Sequence, residues 1–395
     1  MAGGINSLIL PVRGSLEGRN TLSLGLLGTS WALGYIVGCF QVPKLVAKVG
    51  HVRAFSVMSA LASISVLGSA LAIYPNTWIP LRSIAGFAFA GAAMIVESWL
   101  AEARDKHNRP RVFGLYTMVI LGASTAGQLS LPLADTGTLF FLLIAAMLYS
   151  LSLVPTAVSS TRAPQPLLRT KIDLRGLWKN SPLAVLGAFL VGVSNGSFGT
   201  LSAVYASELS LTLVTTSLFA SITILAGAAS QMPIVWLSDR FDRRWVLFAI
   251  AVVTMCTDLV FILSPPSSGN LTILMGAVLG AAIFAMCPVL VAHANDHAAP
   301  EDALLTSGAL LMVLGVGSML GPTIGGALMN SIGEAGLFNT TLLAHTVLVA
   351  ATPWRIAQRE PVDPMEKQQF QMQAPSTVTT PQTTVILKPD ELPDR

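Results

Sequence analysis

Charged side chains are scarce in this chain. Asp, Glu, Lys and Arg together make up 11% of its 395 residues, and hydrophobic residues make up 53%, whereas a soluble domain carries about 25% charged residues. This composition excludes an ordinary soluble fold and predicts an all-α protein that crosses a membrane several times. The formal net charge of +3 is too small to indicate nucleic-acid binding.

Cysteine and histidine are also rare. The three cysteines, Cys39, Cys256 and Cys287, lie inside apolar runs and lack the spacing of a metal site or a disulfide framework. The only histidine cluster, HANDH at 293–297, has no nucleotide loop or nucleophile motif beside it. We therefore expect no enzyme, no metal and no cofactor. A membrane enzyme built around this cluster is the alternative.

Long apolar runs are abundant. Crossing the hydrocarbon core takes about 20 residues, and eleven runs are long enough, near 20–41, 54–74, 78–101, 112–134, 138–157, 183–206, 212–237, 245–264, 271–293, 303–329 and 335–356. One further run, residues 1–13, is only about half a span. We interpret it as the end of a first helix whose beginning is absent. The prediction is eleven full spans after a truncated first helix.

Lysine and arginine are distributed unevenly between the two faces. If segment 44–53 is cytoplasmic, alternation of the spans places 20 of the 23 Lys and Arg residues on that side, as the positive-inside rule requires. Only Arg13, Arg19 and Arg82 fall toward the other face. The prediction is a multi-pass protein of the cell inner membrane, embedded in the lipid bilayer, with a cytoplasmic C-terminus.

Similar stretches recur in the two halves of the chain. The offsets are 190 to 192 residues for three pairs: LVAKVGHVR (45–53) with LSDRFDRRW (237–245), AEARDK (101–106) with AHANDH (292–297), and Gly127 and Pro132 with Gly317 and Pro322. Such a duplication predicts two pseudo-symmetric six-helix bundles, a transporter architecture.

The duplication also defines the domain organisation. The predicted bundles are 1–157 and 182–357. Residues 158–181, which are basic and contain proline, are predicted to form a cytoplasmic linker. The polar residues 358–395 are predicted to form a disordered cytoplasmic tail.

Three motifs resemble the major facilitator superfamily. The turn LSDRFDRRW resembles its signature G-x-L-x-D-R-x-G-R-R, and RSIAG (82–86) resembles the R-x-x-x-G motif of the fourth helix. GSMLGPTIGG (317–326) matches G-x-x-x-G-P-x-x-G-G, which proton–drug antiporters usually carry in the fifth helix and which here lies in the eleventh. That displacement weakens a prediction of drug antiport.

A narrower resemblance rests on four stretches taken together. VESWLAEA, AGQLSLPLAD, LSDRFDRR and AHANDH are similar to a bacterial branch of the superfamily, the YcaD-like transporters. The resemblance implies a secondary transporter with the superfamily fold over residues 1–357.

The polar turns predict a cytoplasmic gate. An aspartate in such a turn could accept hydrogen bonds at a helix start in the other bundle, and the arginines could pair with acids at nearby helix ends. The predicted gate residues are Asp239, Arg240, Arg243, Asp296, Lys48 and Arg53, with Glu102 or Asp105 as partners of the last two. The alternative is that the basic turns only satisfy the positive-inside rule.

Ionisable residues inside a membrane are candidate functional groups because a buried charge is costly. Arg82 is predicted to bind a substrate carboxylate or couple a proton, or else to extend to the interface. Glu97 is predicted to be a protonatable coupling group, or a partner of the cytoplasmic turn. The two lie about 22 Å apart along a helix on nearly the same side, so both could face one cavity.

Polar and small residues supply further candidates. Gln128, Asn195, His293 and Asn295 could bind substrate or join helices by hydrogen bonds. The residues Gly317, Gly321, Pro322, Gly325 and Gly326 are predicted to allow close helix approach and a bend. The aromatic residues that could stack on a planar solute are Trp31, Tyr35, Phe87, Phe89, Trp99, Tyr116 and Phe198.

The predicted function is secondary active transport of a small organic solute by rocker-switch alternating access. The protein is expected to be a monomer. Because no ATP-binding motif is present, an ion gradient or the solute gradient must drive transport. The resemblance to the superfamily and the presence of Glu97 favour protons. Efflux of amphipathic compounds is favoured. Uptake of a vitamin-like planar solute such as riboflavin, and a non-transporting sensor on the same scaffold, are the alternatives.

Overall fold

The computed structural model describes residues 1–102, 109–158, 174–266, 268–298 and 302–358. These residues form α-helices, with one 3-10 turn at Leu131–Leu133 and no strand among them. In chain order the helices are α1 (Ala2–Leu16), α2 (Thr21–Val49), α3 (His51–Leu71), α4 (Pro75–Glu102), α5 (Arg109–Leu129), α6 (Phe140–Leu151), α7 (Leu153–Val158), α8 (Leu174–Asn180), α9 (Pro182–Glu208), α10 (Leu213–Arg240), α11 (Arg243–Leu263), α12 (Gly269–Asn295), α13 (Ala303–Ile332) and α14 (Gly336–Gln358).

The helix lengths confirm the prediction of a multi-span membrane protein. Within the described residues, 10 segments are long and apolar enough to cross a bilayer: α2 to α5, α6 with α7, and α9 to α13. The eleventh predicted run is not among these segments. The run near 335–356 forms α14, which has 23 residues but carries Asn339, Thr340, Thr341 and His345. Helix α1 has 15 residues, about 22 Å.

One turn is tighter than the sequence indicated. The apolar run 20–41 ends before Pro43, but α2 continues through Pro43 to Val49. Only Gly50 separates α2 from α3. Its φ of 83° lies in the left-handed region that glycine adopts without steric cost.

The two halves repeat the same helix pairings, consistent with the predicted pseudo-symmetry. In the first half α1 packs on α5, α2 on α4, and α3 on α6. In the second half the corresponding pairs are α9 with α13, α10 with α12, and α11 with α14. Parallel half-repeats of this kind place a site at the interface between the halves.

The largest apolar cluster crosses that interface. It includes Ile9 and Leu27 from the first half with Phe198, Tyr205 and Phe219 from the second, all buried. Because lipid is as apolar as these side chains, close van der Waals packing is the main stabilising contribution here. The interface is therefore well packed at one end of the molecule.

Two predicted segments fall largely outside the described residues. Helix α8 (Leu174–Asn180) lies inside the predicted linker 158–181, and residues 159–173 are not described. The predicted tail lies outside the described residues from 359 onward. The domain boundaries stay predictions.

Candidate functional site

A cavity of about 300 Å³ lies between the two halves. The first half contributes α1, α2, α4, α5 and α6 to its wall, and the second half contributes α9, α10, α12 and α13. Small-molecule sites usually occupy about 300–1,000 Å³ and are mostly apolar with a few polar groups. This cavity fits a small organic solute.

The halves contact each other at the end of the molecule where the α1–α2 and α9–α10 loops lie. We call it the closed end. Ser15 Oγ and Ser207 Oγ are 3.0 Å apart. Thr29 Oγ1 donates to the carbonyl oxygen of Met319 at 2.6 Å. Among the described residues, the hydrogen bonds between the halves lie on this side of the cavity. The opposite end, the turn end, carries the α2–α3 and α10–α11 turns.

Helix α5 of the first half also contacts the second half, on the side of the cavity toward the closed end. Gln128 Oε1 accepts a hydrogen bond from Ser221 Oγ on α10 at 3.0 Å. Both groups are buried. Gln128, predicted either to bind substrate or to join helices, lines the cavity and makes this contact between halves as well.

Helix α13 presents two rows of small residues. One row faces α9 within the second half, where a Cβ on Gly317 or Gly321 would overlap a backbone carbonyl oxygen of α9. A Cβ on Gly325 would lie 2.9 Å from Leu201 Cδ1. These glycines allow the two helix backbones to approach closely.

The second row faces α2 across the interface. A Cβ on Gly326 would lie 2.6 Å from the carbonyl oxygen of Thr21, and a Cβ on Gly25 would overlap the carbonyl oxygen of Pro322. The predicted packing residues therefore lie at both kinds of contact, within one half and between halves. Their hinge role stays a prediction.

Three rings form one side of the cavity, the aromatic wall. Trp31 and Tyr35 on α2 stack with centroids 5.4 Å apart and planes inclined by 27°. Phe89 on α4 lies 5.6 Å from Trp31 and 6.4 Å from Tyr35. All three line the cavity. Aromatic faces and edges at such spacings favour another ring.

Arg82 is placed on the cavity wall by α4. Its Nη1 donates a long hydrogen bond of 3.4 Å to the carbonyl oxygen of Asn6, and its buried Nε has no hydrogen-bond partner. Within the described part of the chain Arg82 forms no ion pair with a carboxylate. Its guanidinium therefore has donors available to a ligand.

Two amides complete the polar part of the wall. Asn195 on α9 is 7% exposed, and neither its Oδ1 nor its Nδ2 has a hydrogen-bond partner among the described residues. Asn6 on α1 is 4% exposed, and its Oδ1 is also without a partner. Buried amides are normally hydrogen-bonded, so both are candidate ligand groups. Asn6 was not predicted, because it lies in the short run 1–13.

Glu97 does not line the cavity, contrary to the expectation that it and Arg82 could face one space. The 15 residues between them span about 22 Å, and the lining residues on α4 are Arg82 and Phe89. Glu97 is 1% exposed on α4 and interacts electrostatically with Tyr35 and Cys39, which do line the cavity. It lies on the side of the cavity toward the turn end.

His293 and Asn295 are also outside the cavity wall. Both lie in the last turn of α12 at the turn end. Asn295 Nδ2 donates to Ser307 Oγ at 3.1 Å, and the His293 ring lies 4.8 Å from that of His297. Neither residue lines this cavity, and their predicted role in substrate binding stays a prediction.

The turn end of the second half is held together by Arg243. This side chain is 1% exposed, with its Nε 2.6 Å from Asp296 Oδ2 and its Nη1 2.8 Å from Asp239 Oδ1. It therefore links α10, α11 and α12. Arg243 and Asp296, both predicted gate residues, are thus in direct contact. Whether they form a gate stays a prediction.

The other predicted gate residues are arranged differently. Arg240 lies over the Trp236 ring at 3.8 Å from its centroid, a cation–π contact. Lys48 and Arg53 are exposed. Asp105 lies outside the described residues, and the side chain of Glu102 is not described. The first half thus contributes exposed cations at this end.

Asp242 caps α11 in the same turn. Its Oδ1 accepts a hydrogen bond from the backbone N–H of Arg244 at 2.9 Å, and its Oδ2 lies 2.7 Å from Arg244 Nη2. Burial by itself would raise the pKa of this carboxyl group. The hydrogen bonds and charge of Arg244 outweigh burial, and the pKa of Asp242 is lowered.

A second buried pair was missed by sequence reasoning. His345 Nδ1 on α14 lies 2.6 Å from Asp258 Oδ2 on α11, and Thr341 Oγ1 donates to Asp258 Oδ1 at 2.8 Å. Both partners are at most 1% exposed. A histidine inside an apolar run was the available signal. No group of three or more metal-ligating side chains was found among the described residues.

Comparison with known proteins agrees with this architecture. The MFS-type transporter YcaD of Salmonella arizonae is 25% identical over 320 residues, 80% of this chain and 82% of that protein. The protein of the same name in Escherichia fergusonii is 25% identical over 336 residues, 85% of this chain and 86% of that one. The predicted resemblance to this branch is confirmed.

Two solved structures share the fold. The nucleoside transporter NupG superposes with a TM-score of 0.71 at 15% identity, covering 90% of this chain and 98% of that one. A bacterial homolog to the human lysosomal transporter Spinster, in an inward-facing and occupied conformation, gives 0.72 at 15% identity, covering 93% and 96%. The family model of the Major Facilitator Superfamily matches residues 1–228 and 184–389. The chain belongs to the Major Facilitator Superfamily.

Proposed function

We propose that the protein is a secondary carrier that moves one small organic solute through the cavity between its halves. The observation that carries this proposal is the cavity itself. It is walled by both halves, contains polar groups without partners, and has the halves in contact on one side of it. A carrier requires such a site, reached alternately from the two sides of the membrane.

The closed end supports one state of the cycle. Hydrogen bonds and close helix contacts join the halves there, whereas the described ion pairs of the turn end lie within the second half. Rocking of the halves would break the first set and bring the turn ends together. If the basic turns are cytoplasmic, as the positive-inside rule predicts, this state opens toward the cytoplasm.

Proton coupling is the proposed driving force, and Glu97 is the proposed coupling group. Its carboxyl group is buried in α4 and interacts electrostatically with two residues of the cavity wall, Tyr35 and Cys39. Protonation removes the cost of a buried charge. A change in exposure between two conformations would therefore bind or release a proton.

Efflux of amphipathic compounds is the direction we propose first. The aromatic wall of Trp31, Tyr35 and Phe89 also favours a second candidate, uptake of a planar, vitamin-like solute such as riboflavin. The stacked and tilted rings of the aromatic wall offer a surface to a flat molecule. Assays in both orientations separate the two directions.

Counterflow in proteoliposomes tests the proposal. The full chain is reconstituted and supplied with a panel of labelled vitamins, organic acids and cationic dyes, with and without an imposed pH gradient. We expect at least one solute to exchange and to accumulate when the gradient is applied. Absence of exchange by a protein that is folded and inserted would overturn the carrier and favour the sensor.

Two variants test the coupling step. Glu97→Gln should abolish the accumulation driven by the pH gradient, because an amide cannot release a proton. Glu208→Gln, at the exposed end of α9, is the matched control and should accumulate solute like the unaltered protein. Gradient-driven accumulation by Glu97→Gln would exclude Glu97 as the coupling group.

A further inference from the structure

We propose that the carried solute is an organic anion, with its acid group at Arg82 and a planar ring on the aromatic wall. This proposal rests on the proposed carrier function and specifies its substrate class. Among the described residues that line the cavity, Arg82 is the only one with a permanent charge, and none is Asp, Glu, Lys or His. The cavity is therefore electropositive.

Arg82 has the geometry of an incomplete anion site. Its one described hydrogen bond is the long contact to the Asn6 carbonyl oxygen, and its Nε is buried without a partner. A guanidinium group presents five N–H donors and binds carboxylates and phosphates through two parallel hydrogen bonds. A buried cation without a counterion is costly in a membrane, so a bound anion would stabilise this site.

The distance between Arg82 and the aromatic wall suits one molecule. Arg82 and Phe89 are seven residues apart on α4, about 10 Å along the axis and on the same side of the helix. Side chains extending from both positions shorten the gap that a ligand must bridge. An aromatic or heteroaromatic acid could contact the guanidinium and the ring of Trp31 or Phe89 together.

The second half supplies a complementary group. Asn195 offers one acceptor and one pair of donors, none of them hydrogen-bonded to a described residue. A ring with a hydroxyl, amide or ring-nitrogen edge would use both kinds of atom. The acid would thus be held by the first half and its polar edge by the second, so that the ligand bridges the two halves.

The electropositive wall also excludes a class of solutes. A planar cation would be repelled by Arg82 and would find no carboxylate in the described lining. A neutral amide of the same shape would keep the ring contact but lose the charged hydrogen bond. Hydrogen bonds to charged groups contribute about 1.5–3 kcal/mol, so we expect the acid to bind roughly 10- to 100-fold more tightly than its amide.

The test uses probes of one shape and different charge. Purified full-length protein is mixed with planar acids, their primary amides and cationic counterparts methylated on the ring nitrogen. The first set is nicotinate, nicotinamide and nicotinamide methylated on its pyridine nitrogen, and the panel extends across aromatic and heteroaromatic acids. Thermal unfolding reports binding, because a ligand of the native state raises the unfolding temperature. Counterflow in proteoliposomes reports transport independently.

Variants of Arg82 separate the charge from the fold. Arg82→Gln should bind the acid roughly 10- to 100-fold more weakly and leave binding of any amide unchanged. Arg82→Lys should recover part of the affinity, because it keeps the charge but loses the paired geometry. Arg19→Gln, at the closed end outside the cavity, is the control and should bind acids normally.

Each outcome bears on one of the two proposals. Binding and exchange of an acid that depend on Arg82 support both. Binding of an acid without any exchange supports the anion site and overturns the carrier. Exchange or stabilisation by neutral or cationic solutes alone, or no acid among the active probes, overturns the anion site. An acid whose binding is unaffected in Arg82→Gln also overturns it.

Discussion

Gly25 lies where α2 of the first half meets α13 of the second half. A Cβ placed on it would overlap the backbone carbonyl oxygen of Pro322. Gly25→Ala should therefore destabilise the conformation in which the closed end is shut, because the contact between α2 and α13 exists only while the halves meet there. We expect the variant to favour the conformation in which the closed end opens and the turn ends approach.

The size of the effect depends on which atom the added Cβ would overlap. The obstacle is helix backbone rather than a side chain that can rotate away, and such overpacking costs about 1–3 kcal/mol. When the strain can be relieved by changing conformation, that energy appears in the equilibrium between the two states. The population ratio should shift by about 5- to 150-fold.

Gly34 on the same helix is the matched comparison. A Cβ there would overlap the carbonyl oxygen of Ser83 on α4, within the first half. Rocking of the halves cannot relieve that overlap, so Gly34→Ala should lower the unfolding temperature instead. Gly122→Ala is the neutral control, because nothing lies within 4 Å of a Cβ at that position.

Spin-label distances at the turn end measure the shift. Labels at Ala47 on α2 and Leu237 on α10 occupy exposed positions, after the exposed Cys256 is replaced by Ser. Gly25→Ala should raise the share of short distances, and Gly34→Ala should not. The reasoning is refuted if Gly25→Ala lowers the unfolding temperature as Gly34→Ala does and leaves the distance distribution unchanged.

Three further predictions concern the buried polar groups and are all read by thermal unfolding in detergent. Asp258→Asn or His345→Ala alone should lower the free energy of unfolding by about 3–5 kcal/mol, because each leaves a buried partner unpaired. The double variant Asp258→Leu, His345→Leu should recover most of that stability. A double variant that loses the sum of the two single effects would contradict this. Asp242→Ala should lose about 1 kcal/mol as a helix cap. Because the folded pKa of Asp242 is lowered, its stabilisation is complete above the ordinary carboxyl pKa and disappears as pH falls through the lowered value, so the difference from the unaltered protein should vanish in acid. Asp296→Asn should lower the free energy of unfolding by about 3–5 kcal/mol, and Asp239→Asn should lower it by less. Both carboxylates pair with the buried Arg243, but Asp296 is 3% exposed and Asp239 is 42% exposed. Equal losses of stability would show that this difference in burial does not matter.

Most of the helices could be predicted because lipid imposes a simple rule. A segment must be about 20 residues long and apolar to cross the core, and runs such as 183–206 and 271–293 satisfy it. The rule does not locate turns. Pro43 and Lys44 lie beyond the apolar run 20–41, but both remain helical and Gly50 provides the turn. The run 138–157 is divided between α6 and α7 at Ser152.

The site was only partly predictable. Arg82 and Asn195 could be named from chemistry alone, because polar groups inside a membrane require a reason. The residues that accompany them depend on how helices distant in sequence pack. Glu97 was grouped with Arg82 from helix periodicity, which gives the side of a helix but not the depth of a cavity. His345 escaped notice because its partner Asp258 lies 87 residues away.

The seam at the closed end, where hydrogen bonds join the two halves, has a consequence for the energetics of opening. Its hydrogen bonds join hydroxyl, amide and carbonyl groups, as in the pairs Thr29–Met319 and Gln128–Ser221, and none of these atoms carries a formal charge. Hydrogen bonds between membrane helices contribute about 0.6 kcal/mol each on average, and water can replace them one at a time. Breaking them moves no charge along the membrane normal. This seam should therefore separate at a rate that responds little to transmembrane voltage or ionic strength.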